Sequence, residues 1–328
     1  MGANAFKFAS PEDSYARYFL QALNFGTVPF YLASFEPRRG ERHYERPLKI
    51  AHWLQANGAK AKGHPLIWFF PGTTPQWLRD LYADEGFEGL ESDCYQHVYE
   101  VVSHCKGVID TWDVINEAHS WANCLDLSLE QLRRITAIAC QAARKANPDA
   151  ELIVNNCYLT GEYVALGHNV SGKAPQSKLC TAYQYLQELI ADGVDFDVIG
   201  LQLYYPSRDM FEIYRLLQHF ASLGKPLHIT ELAVPASATD DPDSMYGPGA
   251  VEKMGVWRRP WDPALQADWV RRFYTMCYAL DAVQAVTWWD FSDQGGHFFP
   301  HGGFLDSAGK PRPAYNILKR LHDTWLVP

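Results

Sequence analysis

Short apolar runs alternate with amphipathic stretches along the chain, and the alternation predicts a repeating strand–helix unit. Residues 2–6 read as a first strand. Ser10-Pro11-Glu12-Asp13 reads as a helix start, with proline in the first turn and acids near the positive end of the dipole, and this helix runs to about 23. Strand two covers 25–31, and the turn Glu36-Pro37-Arg38-Arg39-Gly40 leads to a helix over 47–57 closed by Gly58. Strand three covers 59–68, a helix around 90–105 precedes strand four from 109, and a helix over 129–146 capped by Ser128 leads to strand five at 151–155. Helices over 176–191, 211–223 and 263–280 are each followed by a strand, at 196–201, 226–231 and 285–290 in the order strand six, helix, strand seven, helix, strand eight. A helix over 313–323 closes the chain. Eight such alternations predict an α/β fold, a (β/α)8 TIM barrel forming a single domain over 1–328.

Two strand ends carry the candidate chemistry. The β-branched run 109–115 ends in Asn116-Glu117, and in a barrel of this kind the C-terminal end of a strand is where reacting groups sit. Taken alone, Glu117 reads equally well as a helix N-terminal acid or a solvated loop residue. A second short apolar strand, Pro226-Leu227-His228-Ile229-Thr230-Glu231, ends in another carboxylate. Two strand-end glutamates facing each other across a barrel mouth are what glycosidic cleavage needs, one as acid/base and the other as nucleophile or base.

Composition narrows the choice. The formal charge is −9 with no clustered Lys/Arg run, so nucleic acid and anionic membrane surfaces are poor partners. Aromatic residues make up 14% of the chain, including 11 Trp and 18 Tyr; they serve either a large core or a cleft of platforms on which sugar C–H faces stack. Many fall at strand ends and in loops, which favours the cleft. The seven cysteines are scattered without a CxxC pair, so neither a zinc site nor a disulfide framework is expected, and most read as small core residues. No signal peptide or membrane-length apolar run is seen; because residues 2–6 already read as a strand, the compartment is left open, as is the oligomeric state. The connection 235–262, with Trp257 and Trp261, is long enough to expect a wall or lid of the cleft, the plainer reading being a surface insertion.

Trp112-Asp113-Val114-Ile115-Asn116-Glu117-Ala118 and Ile229-Thr230-Glu231-Leu232 resemble the two catalytic signatures of glycoside hydrolase family 10, the xylanase family. The likeness runs over nearly the full chain, in order. It takes in Glu36-Pro37 with Gly40, Asn57-Gly58, Gly63-His64-Pro65-Leu66-Ile67-Trp68, Trp77-Leu78, Ile199-Gly200-Leu201-Gln202, Thr287-Trp288 and Lys310-Pro311-Arg312-Pro313-Ala314-Tyr315. The resemblance implies a retaining β-glycoside hydrolase with Glu117 as acid/base and Glu231 as nucleophile. It further implies Asn116 on the sugar's 2-hydroxyl, and substrate contacts from His64, Gln202, Tyr204, Trp288, Tyr31 and Phe69. Neither a metal nor an organic cofactor is implied, and the partner is an oligosaccharide, polysaccharide or glycoside. Glu117 must then stay protonated near neutral pH, through desolvation or the nearby charge of Glu231.

Departures from the family pattern matter as much. Phe69 stands where the family places a histidine against the −1 sugar, and Thr27-Val28-Pro29-Phe30-Tyr31-Leu32 stands where Glu-Asn-Glu-Met-Lys-Trp supplies polar contacts. Tyr204 and Ala233 replace a histidine and an aspartate that together hold the nucleophile. A phenol from Tyr204 or Tyr205 would donate to Glu231 in their place; the plainer reading is that both only pack. Trp289-Asp290 adds polar and aromatic surface, and the loop 293–301 differs from the usual one. His64, His297 and His301 fit no metal spacing: His64 is read as a sugar-contacting or structural residue, and the other two as loop residues. His119 and Trp121 are placed on the aglycone side. The readings carried forward are a xylanase-like hydrolase, a hydrolase of the same fold acting on another sugar or on a glycoside with an apolar aglycone, and a catalytically weak carbohydrate-binding barrel.

Overall fold

The strand segments from the fourth onward are rich in Val, Ile and Leu because each is covered on one side by the barrel interior and on the other by helices. In the computed structural model, which describes residues 1–325 apart from 173, 176 and 177, the strands are β1 (Gly2–Asn4), β2 (Phe25–Pro29), β3 (Lys60–His64), β4 (Thr111–Asn116), β5 (Glu151–Asn156), β6 (Val198–Gln202), β7 (Leu227–Leu232) and β8 (Val283–Trp288). All pair in parallel with their sequence neighbours, and β1 pairs with both β2 and β8, closing the barrel. A parallel closed sheet needs a crossover after each strand.

The crossovers hold α1 (Ser14–Ala22), α2 (Leu32–Phe35), α3 (Glu45–Ala56), α4 (Gln76–Cys105), α5 (Leu129–Ala146), α6 (Glu162–Leu166), α7 (Ala182–Ala191), α8 (Met210–Ala221), α9 (Ala250–Lys253) and α10 (Pro263–Tyr278), and α11 (Pro313–Trp325) follows β8. Helix starts follow local chemistry. Ser128 and Gln131 form a reciprocal capping box on α5, Thr181 and Gln184 do the same on α7, and Asp262 caps α10 ahead of Pro263.

Several boundaries differ from the sequence expectation. α1 begins at Ser14 because Ser10–Asp13 closes into a turn, with the Ser10 N–H donating to Asp13 Oδ2 at 3.1 Å. The helix expected over 176–191 begins at Ala182, where Thr181 caps it; residues 176 and 177 lie outside the described residues. The helix expected around 90–105 starts at Gln76 and is broken at Gly86, whose φ of +68° no helix can hold. The short helices α2, α6 and α9 lie in strand-to-helix loops and were not foreseen: four or five residues carry too little periodicity to read.

The core lies between the strands and the helical ring. Trp269 of α10 and Trp288 of β8 meet there with centroids 6.4 Å apart, both fully buried. All seven cysteines are free, and all but Cys124 are buried.

Candidate active site

A cleft of about 1270 Å³ opens where the C-terminal ends of the strands meet their loops. This is the face on which barrel enzymes build their sites, and the volume suits several sugar rings. β4 delivers Asn116 and, one step past its end, Glu117; β7 delivers Glu231; β6 delivers Gln202 and, beyond its end, Tyr204; β3 delivers His64. Tyr31 follows β2 and lines the same space. The expected residues Glu117, Glu231, Asn116, His64, Gln202, Tyr204 and Tyr31 are therefore brought together.

Glu117 sits in the left-handed region with φ of +56°, rare for a side chain with a Cβ and costing about 1–3 kcal/mol. The turn is held by its own N–H, which donates to the Asn155 carbonyl at 2.8 Å. Its side chain, turned into the cleft wall, accepts from Gln202 Nε2 at 2.9 Å and Trp68 Nε1 at 3.0 Å. Glu231 accepts from Asn155 Nδ2 at 3.1 Å and from the Tyr204 hydroxyl at 3.1 Å. The Asn155 amide also donates to Asn116 Oδ1 at 2.6 Å, and its own Oδ1 accepts from the Thr230 hydroxyl. One network thus links the two carboxylates through Gln202, Asn116 and Asn155. Gly200 makes room for it: a Cβ there would lie 2.9 Å from both Asn155 Oδ1 and Thr230 Cγ2.

Beneath Glu231, His64 Nδ1 and Lys62 Nζ both reach Asp113 Oδ2 at 2.7 Å, while His64 Nε2 lies 3.9 Å from Glu231 Oε1. Burial works against the Asp113 charge, yet Lys62 and His64 hold its carboxyl down at about 2. Burial lowers the His64 pKa, so its imidazole is neutral at pH 7, with the Nδ1–H donating to the Asp113 carboxylate and an Nε2 lone pair facing the cleft. Burial pushes Glu117 up to about 7 against its hydrogen bonds from Gln202 and Trp68. Glu231 is raised by burial and then by the charge of Glu117, while Lys62 and the Tyr204 hydrogen bond pull the other way.

Three expected contacts are corrected. Phe69 is buried behind the cleft wall beside Leu66 and Leu78; the neighbours Trp68 and Phe70, stacked at 4.7 Å, face the cleft instead. Trp288 points into the core, donating from Nε1 to the Gly302 carbonyl at 2.8 Å, and Trp289 takes the cleft face. In both places successive side chains alternate, so a reading off by one position picks the wrong side. His119 is fully buried against the Tyr163 hydroxyl at 2.8 Å and does not line the cleft, whereas Trp121 does, packed against Tyr158 at 4.5 Å. The 235–262 connection contributes Met245, Tyr246 and Met254 to the cleft wall, while Trp257 and Trp261 anchor it from below. Asp241 ties it to the β8 loop through His297 Nε2 at 2.7 Å and the His301 N–H at 2.6 Å.

Asn155 and Trp68 as partners of the carboxylates, and Thr230 as the partner of Asn155, were missed. The Asn155-Asn156 pair at the end of strand five carried the same strand-end signal as Asn116-Glu117 and could have been read. Because Phe69 faces the wall, Phe69→His places an imidazole in an apolar slot. The variant is expected to lose about 2–3 kcal/mol of stability, seen as a lower Tm, and to gain no activity on xylan. An unchanged Tm with a gain in xylan hydrolysis would contradict this placement.

The sequence matches the model of glycosyl hydrolase family 10 over residues 31–321. Among curated proteins it is similar to Endo-1,4-beta-xylanase B of Thermotoga neapolitana, 27% identical over 305 residues, covering 88% of this chain and 77% of that protein. The Beta-1,4-xylanase of Dictyoglomus thermophilum is 30% identical over 200 residues, covering 57% of this chain and 49% of that one. The fold is similar to that of xylanase 10B from Thermotoga petrophila RKU-1 in complex with xylobiose, with a TM-score of 0.69 at 23% identity over 99% of this chain and 93% of that one. A family 10 structure from Paenibacillus barcinonensis gives 0.72 at 22% identity over 100% and 96%. With the family's pattern spanning nearly the whole barrel, the chain belongs to glycosyl hydrolase family 10.

Proposed function

We propose that this glycoside hydrolase is a retaining β-glycosidase of the endo-1,4-β-xylanase type, with Glu231 as nucleophile and Glu117 as acid/base. The observation that carries the reading is the delivery of two buried carboxylates by β4 and β7 into one hydrogen-bonded network at the cleft. Two like charges buried this way are not both kept at neutral pH, so one proton stays on the pair. The retaining mechanism requires that proton on Glu117; Lys62 and the Tyr204 hydroxyl favour the charged form of Glu231, and Asp113 opposes it.

In the first step the Glu231 carboxylate attacks the anomeric carbon while the Glu117 proton passes to the glycosidic oxygen, and the leaving group departs as an alcohol. In the second step Glu117, now ionised, takes a proton from water, whose oxygen attacks the same carbon and releases Glu231 with net retention. Asn116, held by Asn155, is set to receive the sugar's 2-hydroxyl, a bond that strengthens as positive charge develops on the ring. Xylan or xylo-oligosaccharide is the substrate proposed, supported by the relatives' names. A second reading keeps this chemistry but changes the glycone or admits an apolar aglycone. It is favoured by Tyr31, which lines the cleft in the segment where polar contacts to xylose were expected, with the Phe6 ring edge-on to it.

The test is hydrolysis of xylan and a panel of aryl β-glycosides beside Glu117→Ala and Glu231→Ala, with the first-formed anomer read by NMR. Activity on xylan removed by both changes, with retention, sustains the proposal. Activity confined to another sugar retires the xylanase assignment, and an inverted product retires the mechanism.

Tyr204 gives a narrower prediction. Its hydroxyl donates to the charged form of Glu231, so Tyr204→Phe raises the nucleophile's pKa. The acid limb of the pH–kcat/KM profile is expected to move to higher pH, with a loss of about tenfold at the optimum. An unmoved acid limb would mean that Tyr204 only packs.

A further inference from the structure

On the β8–β1 side of the cleft, three polar groups face one space and take no part in the catalytic network. Asp290, two residues past the end of β8, is buried yet lines the cleft. Its carboxylate accepts from the Phe298 N–H at 3.1 Å and the Phe299 N–H at 2.8 Å, which fixes it in place and leaves lone pairs free. Lys7, beyond β1, donates from Nζ to the Ser292 carbonyl and keeps further donors; burial lowers its pKa, and the charges of Asp290 and Asp293 pull the other way. The Asn4 side-chain amide, at the end of β1, borders the cleft and makes no hydrogen bond to the described residues. Aromatic rings wall this space: Phe6 stands edge-on to Tyr31 at 5.9 Å and to Trp289 at 5.6 Å.

A carboxylate in such a place is costly to the fold. Burial pushes Asp290 up to about 6, and its direct hydrogen bonds come from backbone amides alone, with no side-chain donor. A group kept at that cost, within the field of the Lys7 ammonium, in a sugar cleft that an unused amide and aromatic rings also line, has the makings of a hydroxyl clamp. A hydroxyl can donate to Asp290 while accepting from Lys7, and adjacent equatorial hydroxyls present both functions together.

We propose that Asp290, Lys7 and Asn4 form the glycone-recognition group of this enzyme, clamping two adjacent free hydroxyls of a neutral pyranose held against Trp289 and Tyr31. The inference rests on the hydrolase reading above and names its glycone class. It takes over the role left vacant by the apolar segment Thr27–Leu32. An O-acetyl or O-methyl group at a clamped position removes the donor and leaves the remaining Asp290 lone pairs desolvated and unmatched, so such sugars are rejected. A uronate is repelled by Asp290.

The experiment uses the aryl β-glycoside or oligosaccharide that the wild-type enzyme cleaves best, with Asp290→Asn, Asp290→Ala and Lys7→Met. Asp290→Asn keeps an oxygen for the Phe298 and Phe299 amides, and thermal melting reports whether each variant folds. Asp290→Asn and Lys7→Met are each expected to lower kcat/KM by about 10- to 100-fold, chiefly through KM. Substrates lacking one hydroxyl at a time supply the second arm. For the clamped hydroxyl, the deoxy substrate loses a similar factor with wild type and little more with Asp290→Asn, since both changes remove one bond. Folded variants within twofold of wild type, or deoxy penalties unchanged by Asp290→Asn, overturn the clamp.

If no glycoside is cleaved, the hydrolase reading fails separately. Calorimetric titration with xylo- and cello-oligosaccharides then decides the clamp. Binding weakened tenfold or more by Asp290→Asn sustains it, and equal binding, or none to the wild type, overturns it.

Discussion

Glu231→Ala is expected to remove turnover of every true substrate, by about 10⁵-fold or more in kcat. No other group can take its place. In the proposed mechanism Glu117 is already committed as the acid, and Asp290 is fixed by two backbone amides away from the linking network. A water admitted by the shortened side chain would attack without a carboxylate to activate it and without a covalent intermediate. The loss should be chemical rather than structural. Removing Glu231 relieves a buried charge but leaves Asn155 Nδ2 and the Tyr204 hydroxyl without an acceptor, two effects of opposite sign. Thermal melting within a few degrees of wild type, together with lost turnover, is the expected pair of results. Rates within tenfold of wild type would retire Glu231 as nucleophile.

The parts of this site that were legible in the sequence share one property: they sit at or just past the C-terminal ends of strands. Glu117 and Glu231 were found that way, and the resemblance added His64, Gln202 and Tyr204. Tyr204 was also anticipated as a donor to Glu231 on chemical grounds, since a lost histidine–aspartate pair leaves a carboxylate needing a partner; the hydroxyl lies 3.1 Å away. Of the two tyrosines considered, Tyr205 makes no such contact with Glu231 and carries the Arg208 guanidinium over its ring instead.

What failed did so for geometric reasons. Phe69 and Trp288 were each placed on the wrong side of the backbone by one position. Apolar and aromatic neighbours such as Trp68-Phe69-Phe70 and Trp288-Trp289 carry no hydrophobic alternation from which to set the face. Glu117's left-handed backbone is a second case: no property of Asn116-Glu117-Ala118 announces it, and it depends on β5 offering the Asn155 carbonyl. Asn155 itself joins residues from β4, β5 and β7, a set of contacts that exists only once the barrel closes. The barrel was readable because each strand–helix unit is local; the bonds made by Asn155 were not, because each of them crosses between units.

Glu117→Ala should separate the two halves of the reaction. Protonation of the leaving oxygen contributes about 10²–10⁴-fold where the leaving group is a sugar alkoxide, and little where it is an acidic phenol that departs unaided. The variant is therefore expected to lose that factor on oligosaccharides while still forming the covalent intermediate from a dinitrophenyl glycoside. Hydrolysis of the intermediate then stalls for want of a base, so a burst of phenol precedes slow turnover. Added azide, which needs no base, attacks the anomeric carbon, displaces Glu231 and yields a β-glycosyl azide. The pH profile supplies the sign. Burial raises Glu117 to about 7, so wild-type kcat/KM should fall as pH rises through that value and the proton is lost. In Glu117→Ala that alkaline limb should vanish, while the acid limb, set by ionisation of Glu231, remains. A persistent alkaline limb, or equal losses for good and poor leaving groups, would assign the acid/base role to another residue.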